Sequence, residues 1–234
     1  MSIETERLLP RHDNPHQLGR AVLDLIQSRR SLREGFIDKP IPTEVIDEII
    51  QSGLRAPSSK NAQPWRVHVL ERGERLAGIA DTVQFAKNAR DYAPIDPATG
   101  QLRQWESTVA ESAQVLRAVG VGLFVENRGA FSGGRQSVAN ANNSVRGNGI
   151  VGYSFEMIGL GAMVENMWLS AHAQGLGGVF MGDVLVAEEE IQAELAFSGD
   201  LVGVLALGYT DLQPFEKALK ADTVVYHDPS KGAL

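Results

Sequence analysis

The stretch from Tyr153 to Ala173 constrains this chain most. Its spacing predicts one long helix that is apolar nearly all round, carrying Phe155, Met157, Ile158, Leu160, Met163, Val164, Met167, Trp168 and Leu169. A helix without a polar face must be buried on most sides. Gly159, Gly161 and Ala162 allow another backbone to approach closely. A chain of 234 residues has little surface left to cover such a helix, so a subunit interface is expected along it. The apolar residues are read as core, and Glu165 and Asn166 are expected to pair locally.

Composition narrows the function classes. Hydrophobic residues make up 43% of the chain, enough for a real core. A formal charge of −7 gives no overall basic field for nucleic acid or anionic lipid. With no cysteine there is no disulfide, thiolate metal site or catalytic thiol. No run of about 18 apolar residues suggests a membrane span, and residues 1–14 carry no apolar leader. A cytoplasmic protein is expected, with 1–14 as a flexible arm and 15–234 as one domain.

Along the chain, Leu18, Ala21, Val22, Leu25 and Ile26 form one stripe of a helix starting at Pro15. Arg29 and Arg30 close it, where cations suit the negative end of the helix dipole. Pro42 sits at the start of a second helix with Val45, Ile46, Ile49, Ile50 and Leu54 on its buried face. Trp65–Leu70 alternates as a strand, and Glu71–Lys87 and Leu102–Leu116 read as helices. Ala118–Val125 reads as a buried strand. Residues 127–149 are rich in Gly, Asn and Ser, and are expected to be a mobile loop in which Phe131 could meet a substrate. A strand through Gly175–Met181, a helix over Ala187–Phe197 and a strand over Leu201–Leu207 follow. Residues 211–234 read as a tail, with Thr223–Tyr226 strand-like.

Two short stretches carry the chemistry. Arg29-Arg30-Ser31-Leu32-Arg33 offers three guanidinium groups and a hydroxyl within five residues. Arginine presents a planar fork of donors that suits phosphate and keeps its charge at any working pH. Ala56-Pro57-Ser58-Ser59-Lys60-Asn61-Ala62-Gln63-Pro64-Trp65 is polar, bounded by proline and followed at once by a strand. The helix-capping reading of Arg29 and Arg30 stands beside the phosphate reading. Other motifs dissolve. Gly175-Leu176-Gly177-Gly178 lacks the spacing of a dinucleotide fingerprint. His12, His16, His68, His172 and His227 have no metal-ligand spacing and read as structural or exposed.

The order of these pieces, helix, arginine-serine run, second helix, then P-S-S-x-N-x-Q-P-W into a strand, resembles the FMN-dependent nitroreductase family. Gly175–Val179 and Leu205–Tyr209 extend the resemblance to roughly residues 15–226. It implies an α+β fold, a mixed, largely antiparallel sheet flanked by helices, in an intertwined homodimer. It implies FMN as cofactor and NAD(P)H as co-substrate, with two electrons passed by a ping-pong mechanism to a nitroaromatic, a quinone or another small electrophile. It further implies that Arg29 and Arg30 hold the phosphate, Ser31 the ribityl or phosphate oxygens, and Arg33 the N1/O2 edge of the flavin. Pro57, Ser58, Ser59 and Asn61 would line the ring from the partner subunit, and backbone N–H groups of Gly182 and Asp183 would face N5 and O4. The family's basic pair in the tail is replaced by Glu216-Lys217-Ala218, which leaves Lys217 as the tail candidate. Rival readings are another flavin reaction on the same fold (dehalogenation, flavin fragmentation, amide dehydrogenation) and a flavin-binding protein without turnover.

Overall fold

A computed structural model of the protein describes residues 15–86, 95–104, 107–212, 218 and 227. The expected arm 1–14, Lys217 and the strand-like 223–226 lie outside the described residues.

Four strands, β1 (Trp65–Glu71), β2 (Val121–Asn127), β3 (Leu176–Met181) and β4 (Asp200–Tyr209), form a sheet in the order β1-β2-β4-β3. Each neighbouring pair is antiparallel. A parallel bridge between Ser31 and Gly178 on the β3 edge supplies the mixed character. Seven α-helices occur among the described residues: α1 (Pro15–Ser28), α2 (Thr43–Leu54), α3 (Glu74–Gln84), α4 (Val109–Ala118), α5 (Arg135–Asn140), α6 (Asn143–Ala173) and α7 (Glu188–Leu195).

The sheet is the middle of three layers, and the period-2 pattern of its strands makes it so. On β2 and β4, Val121, Leu123, Val125, Leu205 and Leu207 face α2 and α6. Phe124, Val204 and Ala206 face the opposite way, into the cluster formed with α3, α4 and α7. β2 is therefore buried along its whole length, as its continuous apolar run predicts. β1, at the edge, is covered unevenly: Trp65 and Leu70 are buried and Val69 is exposed. A bulge between Val125 and Glu126 shifts the β2–β4 register opposite Gly203, where a side chain would strike the Phe180 ring and the Met181 carbonyl.

The chain departs from its sequence reading at several boundaries. The strand β1 runs through Glu71 and α3 begins only at Glu74, while α4 begins at Val109 rather than Leu102. The largest correction concerns 127–149. This stretch, expected to be a loop, contains α5 and the first turns of α6, which is 31 residues long and capped by Asn142 accepting from the Ser144 N–H at 3.1 Å. Low apolar content misled here because polar bonds hold this segment. Glu156 of α6, 0% exposed, accepts from Asn127 Nδ2 (2.9 Å), from the N–H groups of Phe131 (2.6 Å) and Ser132 (2.8 Å), and from Ser132 Oγ (2.7 Å). Asp200 accepts from the Arg135 N–H at 2.8 Å, at the start of α5.

One face of the C-terminal half of α6 is core within this one chain: Leu160, Met163 and Met167 are almost fully buried, and α2 packs along it. Its N-terminal half is not, since Ile150, Val151, Phe155 and Ile158 are exposed, the last at 69%. The apolar stripe of α1 is likewise open, with Leu18, Val22 and Ile26 exposed.

Candidate functional site

The site begins where α1 ends. Arg29 Nε donates to Glu165 Oε1 at 3.0 Å, and the guanidinium lies over the Trp168 ring at 4.1 Å. Both partners sit on α6, three residues apart, so they present to one face. Arg29 Nη1 is buried and has no hydrogen-bond partner. His172, one turn further along α6, shares a 2.9 Å hydrogen bond between its Nε2 and Ser28 Oγ. Burial, followed by the charges of Arg29 and Arg30, lowers the pKa of His172 below its usual value. The spacing of the histidines, which reads as structural or exposed, gives no sign of this proximity to the two arginines.

Arg30 turns away from Arg29's partners. Its Nη1 donates to the carbonyls of Gln27 (2.5 Å) and Arg29 (2.7 Å), so it caps the open carbonyls at the end of α1. The capping reading fits Arg30, and Arg29 is the guanidinium with a spare edge.

The chain then runs beside β3: Leu32 N–H donates to the Gly178 carbonyl at 2.8 Å. Close approach requires the glycines there, because a Cβ on Gly178 would lie 2.1 Å from the Ala206 carbonyl oxygen. Beyond it Arg33 Nε pairs with Glu111 Oε2 at 3.3 Å, in the first turn of α4. The neighbouring Ser112 Oγ donates to Asp183 at 2.8 Å and Thr108 Oγ1 donates to the same carboxylate at 2.9 Å. The start of α4 thus ties Arg33 to the Gly182–Asp183 turn that follows β3. The Asp183 side chain is buried in this contact and turned inward.

The serine-asparagine stretch folds as a one-turn 3₁₀ helix, Ser59–Asn61, between Pro57 and β1. Lys60, Asn61 and Gln63 have φ of 49°, 52° and 46°, a left-handed conformation uncommon without glycine. Ser58 Oγ accepts from the Gln63 N–H and Gln63 Nε2 donates to Asn61 Oδ1, each at 3.0 Å. This turn lies against Gly159 of α6, where an added Cβ would come within 3.4 Å of Ser58 Cβ. Gly159 and Glu165 are about 9 Å apart along the helix at 1.5 Å per residue. The structure therefore joins Arg29, Ser31, Arg33, Gly182 and Asp183 through β3 and α4, and sets Pro57, Ser58, Ser59 and Asn61 further along α6.

The chain matches the model of the nitroreductase family over residues 26–209. It belongs to that family. The chloronitrobenzene nitroreductase of Comamonas testosteroni is 46% identical over 59 residues, a stretch that spans 24% of this chain and 26% of that protein. Among solved structures, a nitroreductase with bound FMN from Desulfitobacterium hafniense superposes with a TM-score of 0.62 at 16% identity, covering 88% of this chain and 97% of that one. The NADPH:FMN oxidoreductase of Vibrio harveyi, solved with NAD+, gives 0.61 at 22% identity, covering 91% and 79%. These two likenesses carry the nitroreductase fold.

A second polar centre lies at the end of β2. Glu126, fully buried, accepts from His68 Nε2 (2.8 Å), from the N–H groups of Ser198 (3.0 Å) and Gly199 (2.7 Å), and from Ser198 Oγ (3.0 Å). Burial pushes its pKa up, but the bonds from His68, Ser198 and Gly199 prevail and hold it below the usual value. His68 is stacked on Phe197 at 4.0 Å. An acid closing the apolar run of β2, like an acid inside the apolar α6, is the signal that could have found Glu126 and Glu156. Among the described residues no group of acids and histidines has the arrangement of a metal site, and no helix is long and apolar enough to cross a membrane.

Proposed function

We propose that this nitroreductase-family chain is an FMN-dependent oxidoreductase that moves two electrons from NAD(P)H to a small electrophilic acceptor such as a nitroaromatic or a quinone. One observation carries the reading: within the matched span, Arg29 is held in place while its Nη1 is buried without a partner. A buried, unpaired guanidinium N–H is costly, and a phosphate oxygen would satisfy it with a charge-assisted bond. The residues present thus fit the phosphate end of the cofactor.

FMN, when bound, would supply the redox chemistry of two-electron transfer between NAD(P)H and the acceptor. The protein's own residues bind and orient. Arg29 holds the phosphate, with Ser31 beside it. Arg33 would place a permanent cation at the N1/O2 edge, which would favour the more negative, reduced form of the ring. The Gly182 and Asp183 N–H groups would serve the N5/O4 edge, and the carboxylate of Asp183, locked to Thr108 and Ser112, fixes that turn. No side chain needs to act as acid or base. With one face of the ring serving both substrates in turn, ping-pong kinetics are expected.

A second copy of the chain completes the site. The exposed apolar residues of α1 and of the N-terminal half of α6 supply the surface, and the Pro57–Asn61 turn would reach the ring bound to the partner. The test is a visible spectrum of purified protein, repeated anaerobically with each pyridine nucleotide. Rapid bleaching of a bound flavin supports an enzyme. A flavin that the nucleotides leave oxidised would assign a carrier, and protein that neither holds nor takes up FMN would overturn the proposal.

A further inference from the structure

Arg29 makes two contacts that have no need of a ligand. Its Nε–H is engaged by Glu165 at 3.0 Å and its flat face rests on Trp168 at 4.1 Å. A hydrogen bond in the plane and a ring against the plane together fix both the direction and the tilt of a guanidinium. The one nitrogen left buried and unpartnered is Nη1. Arginine otherwise has many rotamers, and ordering it on binding weakens a complex. Trp168 is nearly buried, so the platform is rigid, whereas the Glu165 side chain is 45% exposed, so water screens its charge and leaves the cation attractive to an anion. Arg30 shares none of these contacts and turns to its own helix end. The positive field at this point also acts on His172, whose pKa is lowered first by burial and then by Arg29 and Arg30.

We propose that Glu165 and Trp168 are positioning residues that hold Arg29 ready for a phosphate monoester and so set the preference of this site for phosphorylated over unphosphorylated flavin. This rests on the FMN reading above. It differs from a purely electrostatic account, in which the carboxylate merely opposes the cofactor's phosphate and its removal would tighten binding.

The experiment titrates full-length protein, stripped of flavin, with FMN and with riboflavin, following quenching of flavin fluorescence. Riboflavin shares the ring and ribityl chain, so the ratio of the two affinities isolates the phosphate contact. Wild type is expected to favour FMN, and Arg29→Ala to abolish most of that preference. Glu165→Ala and Trp168→Leu are each expected to lower the preference about three- to tenfold, with riboflavin affinity unchanged. Glu165→Gln, which keeps an acceptor for Nε–H, and Trp168→Phe, which keeps an aromatic face, are expected to retain it. Glu165 is half exposed, so its variants fold even where a Trp168 variant does not. A Glu165→Ala protein with an unchanged or larger FMN preference overturns the positioning role while the FMN reading stands. A wild-type protein that binds neither flavin, or both equally, overturns the reading and the inference together.

Discussion

Glu156→Gln should remove a large share of this protein's stability while changing a single heavy atom. The carboxylate is fully buried, and each of its oxygens takes two hydrogen bonds: Oε1 from the Phe131 and Ser132 N–H groups, Oε2 from Asn127 Nδ2 and Ser132 Oγ. A glutamine has one oxygen. With the amide nitrogen at the Oε1 place two backbone N–H groups face an NH2 group; at the Oε2 place the Ser132 hydroxyl can turn to accept, but Asn127 Nδ2 is left facing it. Each hydrogen bond to a charged group is worth roughly 1.5–3 kcal/mol, so the loss should be about 3–5 kcal/mol. A typical domain has only about 5–15 kcal/mol in total. Urea unfolding followed by far-UV circular dichroism should show a midpoint lower by about 1–2 M, taking a slope of about 2–3 kcal/mol/M. Samples must share one concentration, because association would raise apparent stability. The pH dependence gives a second check. Burial raises the Glu156 pKa, but the bonds from Asn127, Ser132 and Phe131 outweigh it and hold it below the usual carboxylate range. An unfolded chain therefore binds this proton more tightly. The stabilisation is full above about pH 4.5 and is lost as pH falls through the lower, folded value. Wild type should weaken in that acid window and Glu156→Gln should lack that part of the slope. A variant within about 0.5 kcal/mol of wild type at pH 7 would refute the charged, fully bonded description of this network.

Other outcomes follow from the same contacts. Arg29→Ala should weaken FMN binding about tenfold to a thousandfold, and Arg30→Ala less than threefold, in equilibrium titration, because Arg29 Nη1 is buried without a partner whereas Arg30 Nη1 is engaged by the carbonyls of Gln27 and Arg29. Arg33→Ala should lower the two-electron potential of the bound flavin, by about 30 mV for each tenfold change in relative affinity for the reduced form, read by spectroelectrochemistry. Ile158→Glu should give a monomer by analytical ultracentrifugation, since Ile158 is 69% exposed. Met163, 0% exposed under α2, is a core residue of the single chain, and a polar change there tests folding instead of assembly. Gly178→Ala should fail to fold or melt far below wild type in calorimetry, because its Cβ would sit 2.1 Å from a backbone oxygen.

How much of this was legible in the sequence depended on what holds each part. β2 and the buried face of α2 announce themselves through apolar pattern, and Ile46 and Ile49 are buried as predicted. α1 shows the same pattern, yet its stripe is exposed, because periodicity marks a face to be covered and not what covers it. Residues 127–149 escaped because Glu156, Asp200 and Asn142 fasten them by hydrogen bonds, and those partners lie up to 65 residues away in sequence. At the site, the run Arg29–Arg33 marked the location. The division of labour between Arg29 and Arg30 did not show, since adjacent arginines look alike until Glu165 and Trp168 engage one of them.

The bond from Leu32 to Gly178 constrains how such a pocket can diversify. Extended chain alternates sides, so Ser31 and Arg33 lie on one flank while Leu32 lies on the other, close against Gly177. Exchange of one residue for another alters the ligand's surroundings one contact at a time. Insertion or deletion of a single residue between Ser28 and Arg33 would flip every later side chain, aiming a guanidinium at Gly177 and an aliphatic group at the cofactor. Exchanges of single residues in this run should therefore be tolerated better than a change in its length.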